Sequence, residues 1–274
     1  MSQTTGSQHI TPELKRWVTE QFANGATADL LLASMLNSGW ERDLATAALT
    51  AAPAASCGVP QPLVGGLLPS LRAADREVQL LVSLRSPALV VFGGLLSHDE
   101  CDELVALASA RLTRSETVQH GSGSSAVNDS RTSEGMFFDV SENPLCSRIE
   151  ARIAALLNWP VDHGEGLQVL RYRPGAEYKP HYDYFDPAQP GTPSILRRGG
   201  QRVATLVIYL NAPARGGATV FPDAGLEVAP VKGNAVFFSY DRADPATLTL
   251  HGGAPVQEGE KWVATKWLRE GVFS

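Results

Sequence analysis

The stretch Tyr178-Lys179-Pro180-His181-Tyr182-Asp183-Tyr184 carries the reading of this chain. Its aromatic and polar residues predict a strand over 177–184, and successive strand side chains point to opposite faces. His181 and Asp183 are two positions apart, so on an extended strand they share one face, as two ligands of one metal require. By itself a His-x-Asp pair is a short motif that recurs by accident. A third donor of the same chemical kind, His251, stands far downstream in Leu250-His251-Gly252, a separation that only a returning strand bridges.

Strands that could return are present on both sides of the pair. Val, Ile, Tyr, Phe and Thr cluster between Gly, Pro, Asn and Asp at 167–173, 202–210, 218–221, 235–240, 247–250 and 261–268, with two earlier strands at 78–84 and 88–92. A capping box of Ser97 with Glu100 opens a helix running to about residue 110, and a second helix is expected over 144–157. The Gly/Ser-rich stretch 121–128 reads as a mobile loop. Many short strands after a pair of helices predict a mainly β fold with supporting helices, an α+β chain built on a closed or double-sheet barrel.

The front of the chain differs in character. Pro12 behind a Thr11 cap and Gly25 as a stop predict a helix over 12–24, and two more are expected over 29–36 and 42–51. Residues 1–51 therefore read as a small three-helix module, similar in size to ubiquitin-associated-type modules, with two open roles: recruiting a protein partner or capping the fold. An Ala/Pro/Gly-rich segment makes 52–76 a linker, and 77–274 the main domain.

Composition narrows the partners. The 274 residues are 43% hydrophobic and 19% charged, an ordinary globular balance, and the formal net charge of -6 leaves no basic face for nucleic acid. Three widely spaced cysteines without a CxxC motif read as reduced thiols, and no leader-like or long apolar run is evident, so the expectation is a cytoplasmic protein without membrane contact.

A second chemical signal lies in Gly259-Glu-Lys-Trp-Val-Ala-Thr-Lys-Trp267. There Lys261, Val263, Thr265 and Trp267 share one strand face and Trp262, Ala264 and Lys266 the other. A lysine on an apolar face needs a partner charge, and a bound carboxylate is one candidate; a lysine snorkelling from a strand end is the other.

Together the runs Gly166-Leu-Gln-Val-Leu-Arg-Tyr172, Pro180-His-Tyr-Asp-Tyr-Phe185, Gly199-Gly-Gln-Arg-Val-Ala-Thr205, Gly216-Gly-Ala-Thr-Val-Phe-Pro222, Lys232-Gly-Asn-Ala-Val-Phe-Phe238, Leu250-His-Gly252 and the Lys261 segment resemble the catalytic domain of prolyl 4-hydroxylases. The resemblance runs from about Leu89 to the C-terminus and leaves the first seventy residues uncovered. It implies a double-stranded β-helix (jelly roll) and an iron(II)- and 2-oxoglutarate-dependent dioxygenase. It also implies O2 as cosubstrate, ascorbate as a further cofactor, and succinate and CO2 as coproducts.

By position the resemblance implies His181, Asp183 and His251 as iron ligands, with Lys261 on the distal carboxylate of 2-oxoglutarate. Tyr172 and Thr219 would assist Lys261, and Trp267 would line the cosubstrate pocket. Arg131, Ser133, Glu165, Tyr178 and Arg202 match positions that line a peptide site. The substrate implied is a prolyl residue in a peptide or protein. Three other readings stay open: a free amino acid or other small molecule as substrate, a nucleic-acid oxygenase disfavoured by the acidic balance, and a non-catalytic interaction protein.

Overall fold

The computed structural model describes residues 10–11, 14, 17–18, 21, 28–51, 59–62, 69–114, 117–118, 125–126 and 132–274. They belong to two compact units, Met1–Gly58 and Val59–Ser274. In the first, helices α1 (Ala28–Asn37) and α2 (Arg42–Ala51) pack through Met35, Ala45 and Ala48, with Leu32, Trp40 and Leu49 at the margin. Gly39, at φ +86, turns the chain out of α1 in a conformation that side-chain-bearing residues rarely adopt. The helix expected over 12–24 lies largely outside the described residues; of its positions, Val18 is buried beside Leu31. Among the described residues no helix is long and apolar enough to cross a membrane.

The second unit is built from strands, in chain order β1 (Ser70–Ala73), β2 (Arg76–Leu84), β3 (Ala88–Gly93), β4 (Thr113–Arg114), β5 (Thr117–Val118), β6 (Ser125–Ala126), β7 (Glu134–Phe137), β8 (Gln168–Tyr172), β9 (Tyr178–His181), β10 (Arg202–Tyr209), β11 (Arg215–Gly216), β12 (Thr219–Phe221), β13 (Leu226–Val228), β14 (Ala235–Ser239), β15 (His251–Gly253), β16 (Val256–Glu258) and β17 (Lys261–Arg269). Helices α3 (His98–Ser109), α4 (Pro144–Leu157) and α5 (Thr192–Leu196) complete it. Nine strands form one sheet in the order β1-β2-β3-β14-β10-β17-β8-β7-β4, and four form a second, β13-β12-β15-β9. The pairings recorded within both are antiparallel, giving the expected double-stranded β-helix.

Period-two alternation divides the core into two layers. Phe237 packs with Phe92, Leu206, Ala264, Leu104, Ile149 and Ile153, filling the space between the large sheet and its helices. Its neighbour Phe238 points the other way, to Tyr209, Val236, Val263, Phe221 and Val228 between the two sheets. Strand β17 lies inside the large sheet, between β10 and β8, and is buried along its whole length. Its two lysines and its arginine are therefore all buried charges.

Several expectations change. The segment read as a linker, 52–76, contains β1, which pairs with β2 and buries Leu71 and Ala73 in the helix-side core. The strand expected over 247–250 is replaced by a 3-10 turn at Pro245–Thr247, and the strand begins only at His251. The strand expected over 177–184 stops at His181, leaving Asp183 in a bend. Part of the stretch read as a mobile loop lies outside the described residues, and Ser125–Ala126 within it pairs with Thr117–Val118.

Buried ion pairs join the helix side together. Arg152 of α4, 1% exposed, donates to both carboxylate oxygens of Asp75 in the β1–β2 turn, to both of Glu100 in α3, and to the Leu95 carbonyl. Glu100 also closes the capping box with Ser97, its carboxylate accepting from the Ser97 N–H at 2.9 Å. Burial works against the ionised Glu100 carboxyl, but Arg152 and the Ser97 N–H outweigh it and hold the carboxyl down at about 2. Lys266 of β17 is paired in the same interior with Glu150 of α4 at 2.5 Å.

Arg152→Ala strands two carboxylates and is expected to cost about 3–5 kcal/mol in urea unfolding, whereas Arg152→Met should lose much less if Glu100 is changed to Gln alongside it. The Glu100 contribution is complete above the ordinary carboxyl value of 4.5 and disappears as pH falls through about 2, so the Arg152 variants and wild type should converge in stability on acidification.

Candidate metal and dicarboxylate site

His181 ends β9 and His251 begins β15, and the antiparallel register sets the two residues directly opposite each other. Their rings lie 4.4 Å apart between centroids. Each ring is oriented in the same way. His181 Nδ1 lies 2.9 Å from the Lys179 carbonyl and His251 Nδ1 3.0 Å from the Thr249 carbonyl, each two residues upstream. A carbonyl only accepts, so both Nδ1 atoms carry the proton and both Nε2 lone pairs are free to bind. Tyr178 stacks on His181 at 3.7 Å, and Phe238 sits 4.5 Å from His251. Gly252 permits this approach: a Cβ there would stand 2.7 Å from the Tyr178 carbonyl oxygen.

Asp183 completes the group by a route the sequence pattern did not contain. It reaches the histidines from a bend beyond β9 rather than from the strand face. Its two carboxylate oxygens face His181 Nε2 at 3.6 Å and His251 Nε2 at 3.4 Å. Thr205 of β10 donates to Oδ2 at 2.7 Å. Burial raises the carboxyl, but His251 and His181 outweigh it and keep it ionised, well below the usual range. Burial and the adjoining His251 lower the His181 imidazole toward its neutral form. Ligand atoms of His181, Asp183 and His251 lie within 4.8 Å of one another, so two imidazoles and one carboxylate converge on a point.

Lys261, at the start of β17, opens onto the same cavity. It is 4% exposed, and among the described residues no carboxylate pairs with it. Burial pulls its ammonium down to about 8. The rings of Tyr172, its register partner on β8, and of Tyr209 lie 5.6 Å and 5.8 Å from Nζ. The Tyr209 hydroxyl donates to Thr219 Oγ1 at 2.8 Å. A Cβ at Gly253, two residues along β15 from His251, would stand 3.8 Å from Lys261 Nζ. The cation and the histidine pair thus line one cavity.

The cavity is also lined by Tyr172, Tyr178, Thr205, Thr219, Val263, Thr265 and Trp267. The buried Trp267 indole N–H has no acceptor among the described residues. Glu165 and Arg202, read as peptide-site positions, are tied to each other at 2.6 Å, and Arg269 also holds Glu165. The Arg202 guanidinium covers the Trp267 ring at 3.9 Å and stands 4.0 Å from Asp183. Ser133 is fully buried, and Arg131 lies outside the described residues. Sequence reasoning passed over Thr205, Val207 and Tyr209. Their two-residue spacing on β10 was the available signal, since it puts all three on the face that β17 shares.

Comparison with known proteins follows this geometry. Residues 167–269 match the family model described as the 2OG-Fe(II) oxygenase superfamily. The chain is 40% identical over 210 residues to prolyl 4-hydroxylase 2 of Arabidopsis thaliana, covering 68% of this chain and 69% of that protein. Against prolyl 4-hydroxylase 1 of the same plant it is 42% identical over 229 residues, covering 74% and 78%. The chain belongs to the prolyl 4-hydroxylase family of 2OG-Fe(II) oxygenases. A solved viral collagen prolyl hydroxylase from Paramecium Bursaria Chlorella virus-1, in its 2OG complex, is similar with a TM-score of 0.50 and 34% identity, covering 66% of this chain and 95% of that one.

The oxygenase is thus a 2-oxoglutarate-dependent dioxygenase that uses iron(II), 2-oxoglutarate and O2. Its residues fit those partners. Two Nε2 atoms and a carboxylate match an iron(II) site with open positions, and an unpaired buried ammonium matches the far carboxylate of a dicarboxylic acid.

The unpaired lysine has a measurable cost. A base lowered from 10.5 to about 8 on folding destabilises the ligand-free protein by on the order of 3 kcal/mol below pH 8, and the penalty is relieved as pH rises from 8 toward 10.5. Lys261→Met is expected to raise the ligand-free urea midpoint at pH 7 and to lose most of that advantage at pH 10. A lower midpoint at pH 7 would mean that the ammonium has a stabilising partner.

Proposed function

We propose that the chain hydroxylates a prolyl residue in a peptide or protein, with His181, Asp183 and His251 holding iron(II) and Lys261 holding 2-oxoglutarate. The observation that carries this reading is the pairing, within one cavity, of three converging metal donors with an unpaired buried cation. Relatives named prolyl 4-hydroxylases, aligned over two thirds of the chain, support proline as the substrate.

Bound iron supplies the activation of O2 that oxidatively decarboxylates 2-oxoglutarate and delivers one oxygen atom to an unactivated C–H bond. The chain's own residues position and exclude. His181 and His251 offer their Nε2 atoms because the carbonyls of Lys179 and Thr249 take the Nδ1 protons. Asp183 adds the negative charge, held in place by Thr205. Lys261 aligns the dicarboxylate by a charge-assisted bond, with Thr219 and Tyr172 beside it and Tyr209 orienting the Thr219 hydroxyl. Val207, Val263 and Leu170 keep the cavity wall apolar. Trp267 lines the cavity, and the Glu165–Arg202 pair braces its ring.

In this reading residues 59–274 form the catalytic domain, and the helical unit before it serves a protein partner or the fold rather than the chemistry. Cytoplasmic residence and use of ascorbate belong to the same proposal.

Lys261→Met should weaken 2-oxoglutarate binding by at least about 100-fold while leaving iron(II) affinity nearly unchanged, as read by anaerobic calorimetric titration. Wild-type affinity for 2-oxoglutarate should fall above pH 8 by up to about tenfold per unit, because the free lysine loses its proton there. Mass spectrometry of proline-containing peptides after turnover should show a gain of one oxygen on proline. Turnover of 2-oxoglutarate without any such gain, across peptides and lysate proteins, would redirect the reading to a small-molecule substrate.

A further inference from the structure

Asp183 leaves the strand before it reaches the metal donors, so something other than β pairing must set its orientation. Its ionised carboxylate can only accept hydrogen bonds. Thr205 Oγ1, 2.7 Å from Asp183 Oδ2, must therefore donate to it. A hydroxyl has one proton, and that of Thr205 is committed to the carboxylate. The second contact of Thr205, to the Tyr240 hydroxyl at 3.0 Å, then has its direction decided: Tyr240 donates and Thr205 accepts. The two hydroxyls form a one-way chain ending on the carboxylate.

All members of this chain are deeply buried. Thr205 is 0% exposed, Tyr240 2% and Asp183 7%. The Tyr240 ring is itself fixed, edge-on to Tyr184 at 6.0 Å and beside Phe238 at 6.3 Å, and its backbone N–H donates to the Val203 carbonyl at 2.9 Å. Thr205 sits mid-strand in β10, paired with Phe238 on one side and Trp267 on the other. The donor chain is thus anchored in the large sheet, while the carboxylate it holds belongs to a bend outside either sheet. Oriented hydroxyls in series strengthen one another in a low-dielectric interior.

We propose that Thr205 and Tyr240 are positioning residues for the metal centre, a hydroxyl relay that fixes the rotation of the Asp183 carboxylate and so sets metal affinity. The inference rests on the assignment of His181, Asp183 and His251 as the metal ligands. By taking a lone pair of Oδ2, the relay restrains Asp183 from offering both oxygens equally. A carboxylate so restrained occupies one coordination position and leaves the others open for cosubstrate and O2.

The test titrates full-length protein with Mn(II) alone, following the electron paramagnetic resonance signal of free Mn(II). Thr205→Val keeps the shape and removes the donor; it should weaken Mn(II) binding by about 10–100-fold. Thr205→Ser restores the donor and should return affinity to near wild type. Tyr240→Phe removes only the second hydroxyl and should give a smaller loss. Wild-type affinity in Thr205→Val, or a Thr205→Ser variant as weak as Thr205→Val, overturns the relay. If Thr205→Val does not fold by circular dichroism, Tyr240→Phe decides: a clear weakening supports the relay, and unchanged binding overturns it. Failure of the wild type to bind Mn(II) would instead refute the metal site itself, a distinct outcome.

Discussion

Everything at the site depends on the antiparallel pairing of β15 with β9. The pairing is short, His251–Gly253 against Tyr178–His181, with Asp183 just beyond it. Register places His251 opposite His181, and the absence of a side chain at Gly252 lets the strands approach. A one-residue slip would turn an imidazole away from the cavity, because strand side chains alternate. The restraint on this pair comes from its surroundings. Thr219 of β12 pairs with Gly253 on one side, and Tyr178, Phe221 and Phe238 pack the rings. The four-stranded sheet is thus small but tightly specified.

The two lysines of β17 are treated in opposite ways. Toward the helices, Arg152 satisfies Asp75 and Glu100, and Lys266 satisfies Glu150, so the interior ions are matched. Toward the second sheet, Lys261 stands without a carboxylate among the described residues. Both lysines belong to β17, on opposite faces, in environments of similar burial. Matched ions build the scaffold, and the unmatched one is where the proposed dicarboxylate would sit. This contrast discriminates a site from a structural ion pair more sharply than burial alone.

Much of this was legible in the chain before its fold was known. The β17 face carrying Lys261, Val263, Thr265 and Trp267 followed from period two, and α4 has the bounds that Pro144 and its apolar spacing announce. The Ser97–Glu100 capping box was likewise plain. Asp183 was the instructive exception: its place in the group was anticipated for the wrong reason, since the chain bends after His181 and Thr205, 22 residues later in sequence, secures the carboxylate. No local pattern encodes that contact. Short strands such as β7, β13 and β16 were missed because three or four residues supply too little periodicity, and their pairing is decided by partners distant in sequence. Strand β1 was hidden by the Ala- and Pro-rich stretch before it.

With Lys261 assigned to a dicarboxylate, its unpaired ammonium would make the folded state itself a sensor of small acids. A dicarboxylate that neutralises it binds the folded chain and not the unfolded one, so the folded population grows with the concentration of that acid. Resistance to proteolysis then follows ligand supply, because cleavage draws on the transiently open chain. Under the proposed assignment of Lys261, the steady-state amount of the enzyme, and not only its turnover, would be coupled to the abundance of its cosubstrate.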